Sequence, residues 1–118
     1  MSITYESFCE EIEENQHHFT AVLLKLSNAT VVFFYEKGIA KLGTLAIAIP
    51  QFDGNSNISS ILLGDRNLDL TKILADHVSH VSKGLALVST NLPAISDSEA
   101  SRILFKLAQK LLSKANLK

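Results

Sequence analysis

The chain has 118 residues, 47% hydrophobic and 19% charged, which fits one globular domain spanning residues 1–118 and excludes a disordered segment. Its net charge of −1 gives no general electrostatic case for nucleic acid or an anionic membrane, and a single cysteine, Cys9, excludes an internal disulfide. No apolar run approaches the ~18 residues that cross a bilayer, and the acidic N-terminus lacks a signal-peptide pattern, so the expectation is a soluble intracellular protein.

Residues 3–8, ITYESF, alternate weakly and are read as a first edge strand, followed by an acidic turn. Residues 18–26 and 30–35 are rich in β-branched and aromatic side chains around a turn-like SNA, a hairpin pattern. Residues 42–49, LGTLAIAI, form the next strand, stopped by Pro50, and QFDGNSN makes a polar loop before a short strand at 59–63. A helix is predicted over 68–82, with Leu70, Ile73, Leu74, His77, Val78 and Val81 on one side and Gly84 as its stop. Residues 85–90 read as a strand. The last helix opens with a capping box, Ser96 and Glu99, and buries Ala100, Ile103, Leu104, Leu107 and Leu111.

The expected fold class is α+β. A single, mostly antiparallel sheet of five to six strands carries two amphipathic helices on one face, in the order β-β-β-β-β-α-β-α. The strands do not alternate as a sheet with one wet face should. Val31 to Phe34, Leu45 to Ile49 and Leu85 to Val88 are apolar on both faces. Two helices cover one face of such a sheet, and nothing in the chain is left for the other. Either the sheet curls on itself or a second molecule covers it; the second reading is taken here. Small residues permit close approach of two sheets, so Thr44, Ala46 and Ala48 are assigned to the partner face and Leu45, Ile47 and Ile49 to the helices. Lys25, inside a strand, is a further partner-face or edge candidate.

Candidate chemistry is sparse. His77 and His80 are spaced i, i+3 on a helix beside Asp76, but zinc needs three or four converging ligands, so no metal site is expected. The strand–turn–helix joint at Gly64-Asp65 has one glycine and no lysine, which does not make a phosphate cradle. Asp53 and Asp69 are companion acids by composition only. Asp65 is read as a turn residue that bonds backbone amides ahead of the helix. No nucleophile elbow is present, and Cys9 lies among glutamates that dull a thiol, so no enzyme and no cofactor are expected. Arg102, Lys106, Lys110, Lys114 and Lys118 form a strict i, i+4 ridge. It is either a solvated face or a contact for an acidic protein surface; the absence of interleaved aromatics weakens an RNA reading. Glu6, Glu10, Glu11, Glu13 and Glu14 form an acidic N-terminal patch.

Residues 62–92 resemble the proteasome assembly chaperone 4 family. The similarity rests on a strand ending Leu62-Leu63-Gly64-Asp65, a helix with Leu74-Ala75 at its centre, and a strand ending Val88-Ser89, Asn91-Leu92. TLAIAI and KLSNATVVFF resemble the preceding strand and hairpin, while KLGTL is similar to the sister chaperone 3 family, which leaves the paralogue open. The resemblance implies a non-enzymatic chaperone that pairs with a chaperone 3-like subunit, sheet against sheet. That dimer would bind an α-type subunit and assist assembly of the α-ring of the 20S core particle, in the cytoplasm, with the nucleus as a second location. The competing readings are a small ligand-binding domain or enzyme using the Gly64-Asp65 turn with Asp69 or His80, and a trafficking-type dimerisation module with a different element order.

Overall fold

The structure is a computed structural model that describes residues 5–51, 58–93 and 95–117. Ile3 and Thr4 of the expected first strand, residues 52–57 with the candidate acid Asp53, and Lys118 lie outside the described residues. The elements are β1 (Glu6–Glu14), β2 (His17–Lys25), β3 (Ala29–Glu36), β4 (Thr44–Ile49), β5 (Ile58–Leu63), α1 (Leu68–Ser82), β6 (Leu85–Asn91) and α2 (Asp97–Lys114). They build one six-stranded sheet in the order β1-β2-β3-β6-β4-β5, antiparallel except where β6 inserts parallel to β3. The α+β class and the element order are those expected from the sequence.

The start of the chain differs from expectation. The acidic segment is not a turn: it is most of β1, paired with β2 from Glu6↔Lys25 to Glu14↔His17. Its alternation explains this. Phe8 and Ile12 pack toward the core, while Glu10 and Glu14 meet the cations of α2. The hairpin closes through Asn15 and Gln16, both at positive φ (52° and 67°), the two-residue geometry whose twist matches the flanking strands.

Both helices lie on one face. α1 packs over β4, β6 and β5, and α2 over β1 and β2. The face beneath them is read from the register: Phe19, Ala21 and Leu23 of β2, Val32 and Phe34 of β3, Ala86 and Val88 of β6, and Ala46 and Ala48 of β4 are all essentially fully buried. Leu70, Leu74 and Val78 of α1 and Ile103, Leu104, Leu107 and Leu111 of α2 meet them. The layer is uneven for a reason. Under α1 the sheet offers alanines, so that helix can sit close; under α2 it offers phenylalanine and leucine.

The helix ends are held by side chains. Ser96 caps α2 by accepting the Glu99 N–H at 3.3 Å, as the sequence pattern requires. The Glu99 carboxylate accepts instead from the Asn15 amide at 3.2 Å, joining the β1–β2 turn to α2. Asn67 precedes α1 in the left-handed region, and its amide donates to Asp97 at 2.7 Å, joining the starts of the two helices. At the far end of α1 the left-handed residue is Lys83, one position before the expected stop, Gly84.

Two glycines are required where β4 meets its neighbours. A Cβ on Gly43 would overlap the Thr90 carbonyl, and one on Gly64, at φ 102°, would lie 2.6 Å from Thr44 Cα. Gly64→Ala and Gly43→Ala are each expected to destabilise the fold by about 1–3 kcal/mol, from strain and displaced backbone. Gly38→Ala faces open space despite its positive φ and is expected to cost about 1 kcal/mol or less. Urea midpoints of the three variants check this ordering.

His77 sits half-buried on α1 with its ring edge against Phe105 of α2, centroids 5.3 Å apart. Burial, and then the nearby His80, hold its pKa below the ordinary histidine value. The proton therefore binds the unfolded chain more readily. Stability from this group is full above the unfolded pKa of about 6.5 and falls as pH drops below it. His77→Leu is expected to flatten the stability–pH curve as pH falls below about 6.5, relative to the parent chain. Glu14 acts in a lower window: its hydrogen bond from Arg102 lowers its pKa, so its contribution is present above about pH 4.5 and is lost below it.

Candidate functional site

The face opposite the helices is built by the alternate residues of the same six strands. Register groups them into cross-strand rows. Leu85 of β6, Ile49 of β4 and Ile58 of β5 lie at one end. Next come Leu24, Val31, Leu87, Ile47 and Ser60, preceded on β1 by Ser7. Then follow Cys9, Val22, Phe33, Ser89, Leu45 and Leu63. The last rows are Glu11, Thr20, Tyr35 and Asn91, and Glu13 with His18. The open face is thus divided along the strand axis, with an apolar expanse at one end and a polar, acidic corner at the β1–β2 turn.

The apolar residues here are not part of the helix-covered core. Val22, Leu24, Val31, Phe33, Leu45, Ile47 and Leu87 are half-buried, shielded by one another on the sheet, while Ile49, Ile58, Leu62 and Leu63 at the β4–β5 side are exposed. Leu62 is the extra residue of a bulge: the β4–β5 register shifts between Leu45↔Leu63 and Ala46↔Ile61. A contiguous apolar area of this kind, rimmed by polar groups, is the signature of a surface that meets another molecule.

This corrects the face assigned from the sequence. Thr44, Ala46 and Ala48 lie beneath α1, with both alanines fully buried, and Leu45, Ile47 and Ile49 point the other way. The small residues admit a helix, not a second sheet. Thr44 Oγ1 donates to the Arg66 carbonyl, and its neighbour Thr90 shares a hydrogen bond with Thr71 of α1 at 2.7 Å. Lys25 is also on the helix side, its Nζ donating to the Ala115 carbonyl at 3.2 Å.

The basic ridge of α2 and the acidic strand β1 meet each other. Arg102 and Lys106 both bond Glu14, and Lys114 pairs with Glu10 at 3.3 Å and donates to the Cys9 carbonyl at 3.0 Å. Lys110 has no ion pair among the described residues. The ridge is therefore largely a seam between α2 and the edge of the sheet. The signal for this strand was that Phe8 and Ile12 both fall on the face they share with Glu10 and Glu14, while Ser7, Glu11 and Glu13 on the other face are polar, a pattern hidden by the density of carboxylates.

The Gly64-Asp65 joint borders a cleft of about 220 Å³ lined by Gly43, Thr44, Gly64, Asp65, Arg66, Asn67, Thr90, Asn91 and Leu92. Among the described residues its lining holds one carboxylate and no histidine or second acid. Asp65 is exposed and makes no hydrogen bond to the amides ahead of the helix, so the turn rests on Gly64 and on the Thr44–Arg66 bond. Asp69 is exposed on the first turn of α1, and His80 lies about 17 Å further along that helix. Among the described residues, neither Asp69 nor His80 lines the cleft with Asp65. Among the described residues no three His, Cys, Asp or Glu side chains converge as a metal ion needs, and no helix is long and apolar enough to cross a membrane.

On the open face, Tyr35 is almost fully buried beside Thr20, and burial, with Cys9 and Glu11 adding negative charge, holds its phenol above the ordinary value. It stays a neutral phenol. The Ser89 hydroxyl accepts the Gly43 N–H at 2.9 Å, which ties the chain entering β4 against β6.

No family model and no curated protein matches the chain. Among solved structures it is similar to a chain in the crystal structure of a novel chaperone complex for yeast 20S proteasome assembly, with a TM-score of 0.72 over 97% of both chains and 14% sequence identity. That likeness shows that this chain has the fold of a subunit of that yeast complex.

Proposed function

We propose that the protein is a non-enzymatic chaperone subunit for assembly of the 20S proteasome core particle. It pairs through the open face of its sheet with a chaperone 3-like subunit, sheet against sheet. The resulting heterodimer, with helices outside, binds an α-type subunit and assists α-ring formation in the cytoplasm. The observation that carries this reading is the open face: a broad apolar sheet surface that neither α1 nor α2 covers. The fold shared with a subunit of the yeast assembly complex supports it, as does the sequence resemblance at residues 62–92. Apolar sheet surface buried on pairing gives the driving force, on the order of 25 cal/mol per Å² removed from water before the costs of association.

The test is co-expression with a chaperone 3-like chain from the same organism, read by sedimentation velocity. A soluble one-to-one complex is expected, with the chain alone self-associating or aggregation-prone. Leu87→Arg, in the middle of the open face, is expected to abolish the complex while helical circular dichroism is kept. Ala46→Arg, beneath α1, is expected to lose the fold itself. A well-behaved monomer with no affinity for the chaperone 3-like chain overturns the proposal.

A further inference from the structure

A second cavity, of about 260 Å³, lies at the end of the molecule where both helices finish, on the helix side of the sheet. One cross-strand row supplies Lys25 of β2 and Thr30 of β3. The β2–β3 turn adds Ser27 and Asn28, and the end of α1 adds Ser82 and Lys83. The lining thus brings together two lysines, three hydroxyls and one amide, and among the described residues no carboxylate. We propose that this cavity is an oxyanion site that takes a phosphate monoester, with Lys25 and Lys83 supplying charge and Thr30 and Ser82 supplying hydroxyl donors.

The fold does not use up these polar groups. Thr30 is 3% exposed, and among the described residues its hydroxyl makes no hydrogen bond. The Ser82 hydroxyl is buried and has no hydrogen-bond partner. Buried hydroxyls without partners are uncommon in folded chains, and two of them at one cavity are explained by a ligand that accepts from both. Lys25 Nζ gives one proton to the Ala115 carbonyl at 3.2 Å, which fixes the ammonium at the cavity and leaves two protons to give. Two helix C-termini would by themselves favour a cation here. Their last carbonyls, however, already have donors: Ala115 from Lys25, Ser79 from the Lys83 N–H and Leu112 from the Leu117 N–H, the last two at 2.8 Å. In register, Lys25 is opposite Glu6 of β1, which is exposed and forms no ion pair with it among the described residues. The charge left over is positive. A phosphate monoester carries about −1.5 to −2 charge at pH 7 and three acceptor oxygens, a match for two ammonium groups and several neutral donors. The site is on the helix side, so it stays open when the opposite face is covered, and it stands apart from the pairing reading.

The experiment titrates the full chain with inorganic phosphate at constant pH and ionic strength and reads amide chemical shifts. The parent is compared with Lys83→Gln, Thr30→Val and, as a control away from the cavity, Lys110→Gln. Lys83 and Lys110 are exposed and valine keeps the shape of threonine, so circular dichroism is expected to match the parent. Saturable shifts are expected at Thr30, Ser82, Lys83 and Gly84. Lys83→Gln is expected to weaken binding about tenfold and Thr30→Val about threefold, with no change for Lys110→Gln. Glycerol 3-phosphate and a phosphoserine peptide are then titrated in the same way. Tighter binding of the first assigns the phosphate to a free small molecule and of the second to a phosphorylated protein segment; either supports the site. Shifts that do not saturate, or that Lys83→Gln and Lys110→Gln reduce equally, mean an adventitious ion only and overturn the proposal. Unchanged affinity in both Lys83→Gln and Thr30→Val overturns it as well.

Discussion

A six-stranded sheet whose central strands are apolar on both faces, with α1 and α2 enough to cover one, is the constraint on which this molecule turns. The two helices must choose a side. They take the side where β4 and β6 offer alanine, since Ala46, Ala48 and Ala86 let α1 settle close to the sheet while β2 fills the space under α2 with Phe19 and Leu23. The choice leaves the larger aliphatic residues of β4, Leu45 and Ile47, on the open face. The surface proposed to meet a partner is thus a direct consequence of how the core is packed.

The edges of the sheet are treated differently from each other. β1 carries five glutamates among its nine residues, which makes it a poor template for pairing with another strand. The same residues do a second job. Alternation along the strand sends Glu10 and Glu14 to the cations of α2, and that seam anchors the last helix over a strand it could not otherwise cover well. β5, at the other edge, has no charge from Ile58 to Leu63 and protects itself with a bulge at Leu62. The charged edge and the bulged edge together leave the open face as the surface best suited to association.

The Gly64-Asp65 joint is shaped by backbone geometry. Gly64 is there because Thr44 leaves no room for a side chain, and because its backbone takes a positive φ. The acid beside it is solvated. What matters at this point is the geometry that turns β5 into α1, with the Thr44 and Thr71 hydroxyls binding the backbone on either side of the turn.

Much of the architecture was legible in the sequence, because its signals are local. The boundaries of α1 follow from its apolar stripe, and those of α2 from the Ser96 cap. The central strands follow from runs of β-branched and aromatic residues between turn residues. The apolar character of both faces was legible too, and with it the need for a cover. The side on which each residue falls was not. In β4, with Thr44 as the only polar residue of TLAIAI, either parity is acceptable locally, so no pattern distinguishes the helix face from the open face. Register with β6 and the arrival of α1 decide it. β1 was obscured for the opposite reason: five carboxylates hide its alternation until α2, some 90 residues later, brings the cations that make it a strand face. The sequence by itself determined the central strands and the two helices, and that the central strands are apolar on both faces. Only the tertiary structure decided which face is buried and which charges are cancelled, because both depend on contacts between residues far apart in the chain.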